Sequence, residues 1–263
     1  IVIPASAWLA AYYGSKTVFM ASLLTFLCAS IGAGLAPSIE ALIAWRCVQG
    51  LGAGLLIPLG QSMTYQLYRP AERPGLSSVM MLVGLLAPAL SPALGGVIVD
   101  SLSWRWIFYL NVPFAALALL LAACWLRPDS PRAAVPRLDV AGLLAGSTAV
   151  LLLLLGLTML GTPDELLAGA GVLVLGAACA WGYVRGALRK STPLLNLRLA
   201  AEPLLRIAML MYLLVPGVFM GVSLLAMLYL QGVLGMSAST AGALMLPWAL
   251  ASFAAISLTG KSY

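Results

Sequence analysis

A single arginine, Arg46, stands deep inside a long apolar stretch, six residues beyond Glu40. On an α-helix that separation is about 9 Å along the axis. A guanidinium near the centre of a membrane costs at least about 2.5–3.5 kcal/mol, so such a side chain normally faces the interior of a helix bundle and meets a polar partner. Alternatively, Arg46 reaches back to the membrane surface and only anchors the helix end. We favour the first interpretation, in which Arg46 is a polar pivot supported by Gln49, one turn further along.

Small residues after Arg46 predict close contacts between helices. Gly50 and Gly54 are four positions apart and therefore share one helix face, with Gly52 between them. This pattern is typical of plain helix packing and also of helices that move against each other. Polar and methionine side chains further along are the weaker candidates for a substrate cavity, and they are Gln61, Met63, Met80 and Met220.

A second stripe of small residues recurs at a spacing of four and therefore lies on one face of a helix. Its two prolines each remove a backbone hydrogen bond and bend the helix. A smooth, bent helix suits an interface that slides or rocks, and the alternative is a static kink. The stripe consists of Gly84, Pro88, Pro92 and Gly96, with Gly95 beside it.

The composition excludes most other classes of protein. Of the 263 residues, 62% are hydrophobic and only 8% are charged, whereas a soluble domain carries about 25% charged residues. Histidine is absent, which excludes H-E-x-x-H metalloproteases and Ser-His-Asp hydrolases. We predict neither a metal site nor a cofactor. The net charge of +6 fits cationic cytoplasmic loops of a membrane protein better than a nucleic-acid partner.

Charged and turn residues divide the chain into nine apolar segments. A spanning helix needs about 20 mostly apolar residues, so the first segment is too short and the chain is interpreted as an internal fragment. The sequence therefore predicts an all-α integral membrane protein with about nine helices. The segments are 1–13, 17–36, 41–68, 76–99, 105–126, 140–160, 166–188, 204–230 and 239–259.

The loops predict the orientation of the chain. Twelve of the fourteen Lys and Arg residues fall in one alternating set of loops, and the positive-inside rule makes that set cytoplasmic. The opposite face carries an aromatic cluster, Trp104, Arg105 and Trp106, with Asn111 and Pro113 about one turn deeper. On its own, such a cluster indicates anchoring at the outer membrane interface.

Three of these stretches together resemble one known family. Residues 46–54 resemble the fourth-helix motif of the major facilitator superfamily, and residues 84–96 resemble the fifth-helix motif of its drug/proton antiporters. Residues 104–113 are similar to the start of helix six in the fourteen-span EmrB/QacA-type exporters. The resemblance implies a partial helical bundle corresponding to family spans 2–10.

The resemblance also implies a domain organisation. Residues 1–126 would form the N-terminal bundle without its first span, 127–138 a cytoplasmic linker, 139–189 two extra spans, and 190–263 the start of the C-terminal bundle. Gly14 and Lys16 would belong to a cytoplasmic loop motif that in the family also carries an acid and more basic residues. In the family, span one supplies an acidic residue for proton coupling close to the fourth-helix arginine, which assigns Arg46 a partner.

The implied function is export of amphiphilic toxic compounds across the inner membrane in exchange for protons, by alternating access. The implied partners are membrane lipid, a small amphiphilic substrate and protons, with a periplasmic adaptor protein as a further candidate. One alternative is a transporter for a single metabolite, such as an amino acid or a siderophore. Two others are an intramembrane enzyme or scaffold, which the missing histidines and mid-span acids disfavour, and a fragment that is inactive alone.

Overall fold

The computed structural model describes residues 2–69, 72–127, 129, 137–190 and 193–259. The regular structure in this part of the chain is helical. We number the α-helices α1 Ser6–Tyr13, α2 Ser15–Leu35, α3 Ile39–Leu67, α4 Arg73–Ser101, α5 Trp106–Tyr109, α6 Asn111–Trp125, α7 Val140–Met159, α8 Leu166–Arg189, α9 Pro203–Gly232 and α10 Ala238–Thr259.

These helices coincide with the nine predicted segments, and the all-α membrane fold is confirmed. Within the described residues, six helical stretches are long and apolar enough to cross a membrane. They are α2, α3, α5 with α6, α7, α8 with its preceding turn, and α9. Helix α1 has eight residues and is too short to span, as expected for segment 1–13. That α4 and α10 also span the membrane stays a prediction.

The helix ends follow from residues that satisfy free backbone groups. The Ser38 hydroxyl accepts a hydrogen bond from the Ala41 amide (3.3 Å) at the start of α3. The Asp139 carboxylate accepts one from the Gly142 amide (2.8 Å) at the start of α7. Both are N-caps of the kind that serine and aspartate favour. Helix α1 ends at Gly14, whose φ of +96° suits glycine.

Small side chains fill the interfaces between helices, and large apolar ones point outward. Ala29, Ser30, Ala33 and Ala241 have no exposed surface, whereas many leucines, valines and isoleucines are exposed. In a soluble protein this arrangement would be inverted. It is the one expected when lipid surrounds the helices, because close backbone approach then stabilises helix contacts.

The described chain forms two compact units. The first comprises Ile1–Ser22, Ala53–Leu59 and Leu126–Tyr212, and the second comprises Leu23–Gly52, Gly60–Trp125 and Leu213–Tyr263. The division into bundles and a linker that the sequence suggested stays a prediction.

Within the first unit, α7 and α8 form an antiparallel hairpin packed through glycines. A Cβ placed on Gly156 would lie 2.8 Å from the Leu173 amide nitrogen, and one on Gly176 would lie 2.9 Å from that of Leu153. At the open end, the Lys190 ammonium lies 2.6 Å from the Asp139 carboxylate. The hairpin is therefore joined by a short loop at one end and by an ion pair at the other.

Candidate functional site

Arg46 is the first member of a polar chain that links α3 to α2. Its Nη1 donates a hydrogen bond to Gln49 Oε1 (2.6 Å), and Gln49 Nε2 donates to Ser30 Oγ (2.7 Å). The Ser30 hydroxyl donates to the Phe26 carbonyl (2.8 Å). Ser30 is 0% exposed and Gln49 is 3% exposed. The hydrogen-bonded series is thus buried between α2 and α3 at Ser30 and Gln49, and it ends at the guanidinium of Arg46.

The guanidinium itself is exposed on the described surface of the second unit. Its Cζ lies 5.8 Å from the centre of the Phe108 ring, on the start of the α5–α6 segment. Among the described residues, no carboxylate forms an ion pair with it. Arg46 therefore meets Gln49 and an aromatic face, and it keeps hydrogen-bond donors for a further group.

The glycines after Arg46 differ in what they contact. Gly52 is buried, and a Cβ on Gly54 would lie 2.9 Å from a methyl carbon of Val2. At Gly50 no described atom lies within 4 Å of such a Cβ. The structure thus places Gly54 in close contact with the Val2 side chain, and it shows no such contact of Gly50 with the described residues.

The stripe of small residues on α4 packs against α10 within the second unit. A Cβ on Gly96 would collide with the backbone of Ala238, and one on Gly242 would collide with the backbone of Pro92. Next to this seam, Asp100 Oδ2 accepts a hydrogen bond from the Ser239 amide (2.8 Å), which caps the first turn of α10. The two helices meet through backbone on both sides.

Gly84 and Gly95 show no close contact with the described residues. No described atom lies within 4 Å of a Cβ placed on Gly84 or Gly95. The side chain of Pro88 lies outside the described ones, although its backbone belongs to α4. The packing role predicted for these three positions stays a prediction.

The cluster of Trp104, Arg105 and Trp106 lies at the C-terminal end of α2, where Arg105 caps a free carbonyl group. Arg105 Nη2 donates a hydrogen bond to the Ala36 carbonyl (3.2 Å), one of the carbonyls that a helix end leaves free. Its guanidinium stacks on Trp104, with Cζ 4.5 Å from the ring centre, and the Trp106 ring packs edge-on against Tyr109. Asn111 and Pro113 lie in the first turn of α6.

Asp129 binds the backbone of the loop that contains Gly14 and Lys16. The sequence alone did not single out this residue. The Asp129 carboxylate accepts hydrogen bonds from the amides of Lys16 (2.9 Å) and Thr17 (3.1 Å). The Lys16 ammonium donates to the Leu126 carbonyl (2.8 Å). A Cβ on Gly14 would collide with the Asp129 side chain. Gly14 is therefore required both for its positive φ and for access of this carboxylate to the start of α2.

Comparison with known proteins decides the family. A profile of the Major Facilitator Superfamily matches residues 1–262. The chain belongs to the Major Facilitator Superfamily. Membership of this superfamily and its apolar helices make the chain a multi-pass protein of the plasma membrane.

Several relatives in this superfamily share about a third of their residues with this chain. A protein of Mycobacterium tuberculosis named multidrug resistance protein B homolog is 35% identical over 98% of this chain and 48% of its own length. Probable transport protein HsrA of Haemophilus influenzae is 30% identical over 99% and 56%. Putative multidrug resistance protein MdtD of Salmonella paratyphi B is 32% identical over 96% and 53%. The chain thus spans about half the length of these relatives.

No hydrogen bond between described residues joins the four residues predicted to line a substrate cavity. Gln61 and Met220 are exposed, and Met63 and Met80 are half-buried. Their assignment to a substrate cavity stays a prediction.

The hydrogen-bonded series of Arg46, Gln49 and Ser30 can hold a positive charge in position for an anion. The guanidinium of arginine carries that charge permanently. Gln49 holds its guanidinium in one orientation and is itself held by buried Ser30. The arrangement is suited to pairing with a carboxylate that gains and loses a proton.

Sequence reasoning missed the partners in these contacts, namely Ser30, Asp100, Gly242 and Asp129. Each is a common residue whose role depends on a distant part of the chain. Gly242 carried a weak signal, because it stands alone in the first turns of an apolar helix. Asp129 carried none, because a proline-rich linker normally contains acids.

Proposed function

We propose that this chain is part of a secondary active transporter that exports small amphiphilic compounds in exchange for protons. The observation that carries the proposal is the series of hydrogen bonds from Arg46 through Gln49 to Ser30. Ser30 and Gln49 are buried, and the Arg46 guanidinium is exposed. Membership of the superfamily supports transport by alternating access. The names of two relatives, which refer to multidrug resistance, support export of drug-like compounds.

In this proposal Arg46 holds a carboxylate that lies outside the described residues. The resemblance of residues 46–54 to the family motif assigns that acid to the span preceding this chain. When the acid is charged, the guanidinium pairs with it; when the acid takes up a proton, the pair weakens and the helices are free to rearrange. The seam between α4 and α10 would be the surface on which they do so. A periplasmic adaptor belongs to the proposal only as a further partner.

The test is the substitution R46A in the full-length protein, compared with R46K and Q49A. We expect R46A to lower proton-driven dye efflux from intact cells by about 100-fold or more, since it removes a charge pair in a low-dielectric site. R46K keeps the charge without the forked geometry and should retain partial activity. Q49A should fall between the two, because it releases the guanidinium from its orientation.

The matched control is R69Q, which removes an exposed arginine from a loop between α3 and α4. It should leave efflux unchanged. Efflux that survives in R46A at the level of R69Q would contradict the proposed mechanism. A panel of unrelated amphiphilic dyes separates a multidrug exporter from a transporter of one metabolite, because only the former moves several of them.

A further inference from the structure

We propose that the C-terminal end of the α7–α8 hairpin binds the phosphate of an anionic phospholipid. The site is formed by Arg185, Arg189 and Arg198, which we call the arginine patch. The inference concerns the first unit alone and does not rest on the proposed transport function.

A hydrogen bond brings the three arginines together although one of them lies beyond α8. Arg198 Nη2 donates to the Leu188 carbonyl (2.9 Å), so its guanidinium returns to the last turn of α8. Arg189 is the next residue after Leu188, and Arg185 lies four positions before Arg189 on the same helix face. The three cationic groups therefore lie around one helical turn.

Two of the three guanidinium groups have a set orientation. Arg198 is held by the free carbonyl that it caps. Arg185 lies over the ring of Trp181, with its Cζ 5.1 Å from the ring centre. Guanidinium forks held in this way match the geometry of a phosphate and can bind two of its oxygens at once.

None of the three arginines of the patch forms an ion pair with a carboxylate in the part of the chain that the structure describes. Asp139 is the nearby acid, and it is paired with Lys190 rather than with an arginine. No ion pair of Glu202 with the three arginines occurs among the described residues. Like charges one turn apart on a helix repel each other, so an anionic ligand relieves an unfavourable arrangement.

The position of the arginine patch along α8 selects a lipid rather than a free anion. With 24 residues, α8 is about 36 Å long and exceeds the hydrocarbon thickness of about 30 Å. Its last turn therefore reaches the headgroup layer. Trp181 is 64% exposed, in keeping with the preference of tryptophan for the membrane interface. Leu195, Leu199 and Leu204 are also exposed after the helix and offer apolar contact to acyl chains.

The experiment measures retention of phosphatidylglycerol against phosphatidylcholine by native mass spectrometry of the full-length protein. The triple variant R185Q/R189Q/R198Q should bind phosphatidylglycerol at least about tenfold more weakly, because each arginine near a membrane surface contributes to anionic-lipid affinity. The matched control, R69Q/R73Q/R127Q, removes the same charge from other positions of the chain and should change the affinity by less than about twofold, since none of these residues belongs to the arginine patch. Equal losses in both triples would overturn the site.

Two further measurements keep the proposal testable if the triple variant folds poorly. Brominated phosphatidylglycerol should quench the fluorescence of the unsubstituted protein more than brominated phosphatidylcholine does, and W181F should abolish that excess. If the excess quenching by brominated phosphatidylglycerol persists in W181F, the lipid does not bind beside Trp181 and the proposed site is wrong. Added inorganic phosphate should not displace the bound lipid; complete displacement would show a site for a free anion and contradict the proposal.

Discussion

Two helix pairs in this chain pack through glycines, yet they are held together in different ways. Helices α7 and α8 are neighbours in sequence, joined by a short loop and by the Asp139–Lys190 ion pair at the other end. Helices α4 and α10 are distant in sequence, and the Asp100 carboxylate caps the first turn of α10 without any covalent link nearby. The hairpin is thus constrained at both ends, whereas α4 and α10 are joined by contacts that can be broken.

This difference predicts that the two glycine contacts respond differently to an added methyl group. In the hairpin, a strained contact is opposed by the loop and the ion pair, so the helices stay together. Between α4 and α10, the same strain has only packing and a cap to oppose it.

The largest effect is expected from G96A, which places a methyl group against the backbone of Ala238. Backbone cannot move aside as a flexible side chain can, so the substitution should lower the free energy of unfolding by about 1–3 kcal/mol. G95A is the adjacent control, because no described atom lies within 4 Å of its added Cβ. Both variants gain the same helix propensity, so their difference in an SDS-unfolding titration isolates the contact.

The corresponding hairpin variant is G176A, with G182A as its control on the same helix. The added Cβ at Gly176 would lie 2.9 Å from the Leu153 amide nitrogen, whereas at Gly182 no described atom lies within 4 Å. We expect G176A to cost less than G96A. A larger loss in the hairpin than in the α4–α10 pair would reverse the comparison.

A smaller effect is expected from D100A, which removes the acceptor of the Ser239 amide in the first turn of α10 and leaves the Ser237 hydroxyl as the acceptor of the Thr240 amide. Loss of an aspartate N-cap costs about 1 kcal/mol, so the Ser239 amide should exchange its hydrogen about fivefold faster. Hydrogen exchange with mass spectrometry of the α10 peptide provides the measurement. D164A, which removes an exposed acid from the hairpin loop, is the control. Unchanged exchange in D100A would show that Asp100 does not hold α10.

The smallest effect concerns the pH dependence of the hairpin. The hydrogen bond from Lys190 holds the pKa of Asp139 below its ordinary value, and the Gly142 amide acts in the same direction. A lowered carboxyl pKa stabilises the folded state above its ordinary value of about 3.9, and this stabilisation is lost as the pH falls through the native pKa. Because the Lys190 side chain is 41% exposed, we expect the ion pair to contribute at most about 1 kcal/mol to the free energy of unfolding.

The measurement compares the parent with D139N in an unfolding titration at several pH values. Asparagine keeps the cap on α7 and removes only the charge. The two proteins should differ at neutral pH and converge in acid. A difference that is constant with pH would indicate that the ion pair with Lys190 contributes nothing.

Much of the fold was accessible from the sequence because apolar length is a local property. The nine segments coincide with the helices, and the motifs at 46–54, 84–96 and 104–113 pointed to the superfamily that the comparisons then confirmed. Arg46 and Gln49 were paired correctly because residues three apart on a helix face each other. These inferences needed no knowledge of which helices are neighbours.

The partners of the candidate residues were not accessible in the same way. Which face of α4 meets another helix could not be read from its stripe, because every fourth position is small. Among the described residues, Gly96 and Pro92 meet α10 closely and Gly84 has no atom within 4 Å of an added Cβ. Likewise, the carboxylate that completes the Gly14 loop comes from Asp129, over a hundred residues away.

The amino-acid sequence alone thus determined that the chain consists of membrane helices and about where most of them begin and end, and it singled out Arg46 as the cation within an apolar segment. These properties depend on local hydropathy, helix caps and the cost of burying charge. Tertiary structure decided that Ser30 anchors Gln49, that Asp100 caps α10 and that Arg198 returns to the end of α8. Such contacts join residues of different elements, ten to more than a hundred positions apart, and local periodicity contains no information about that pairing.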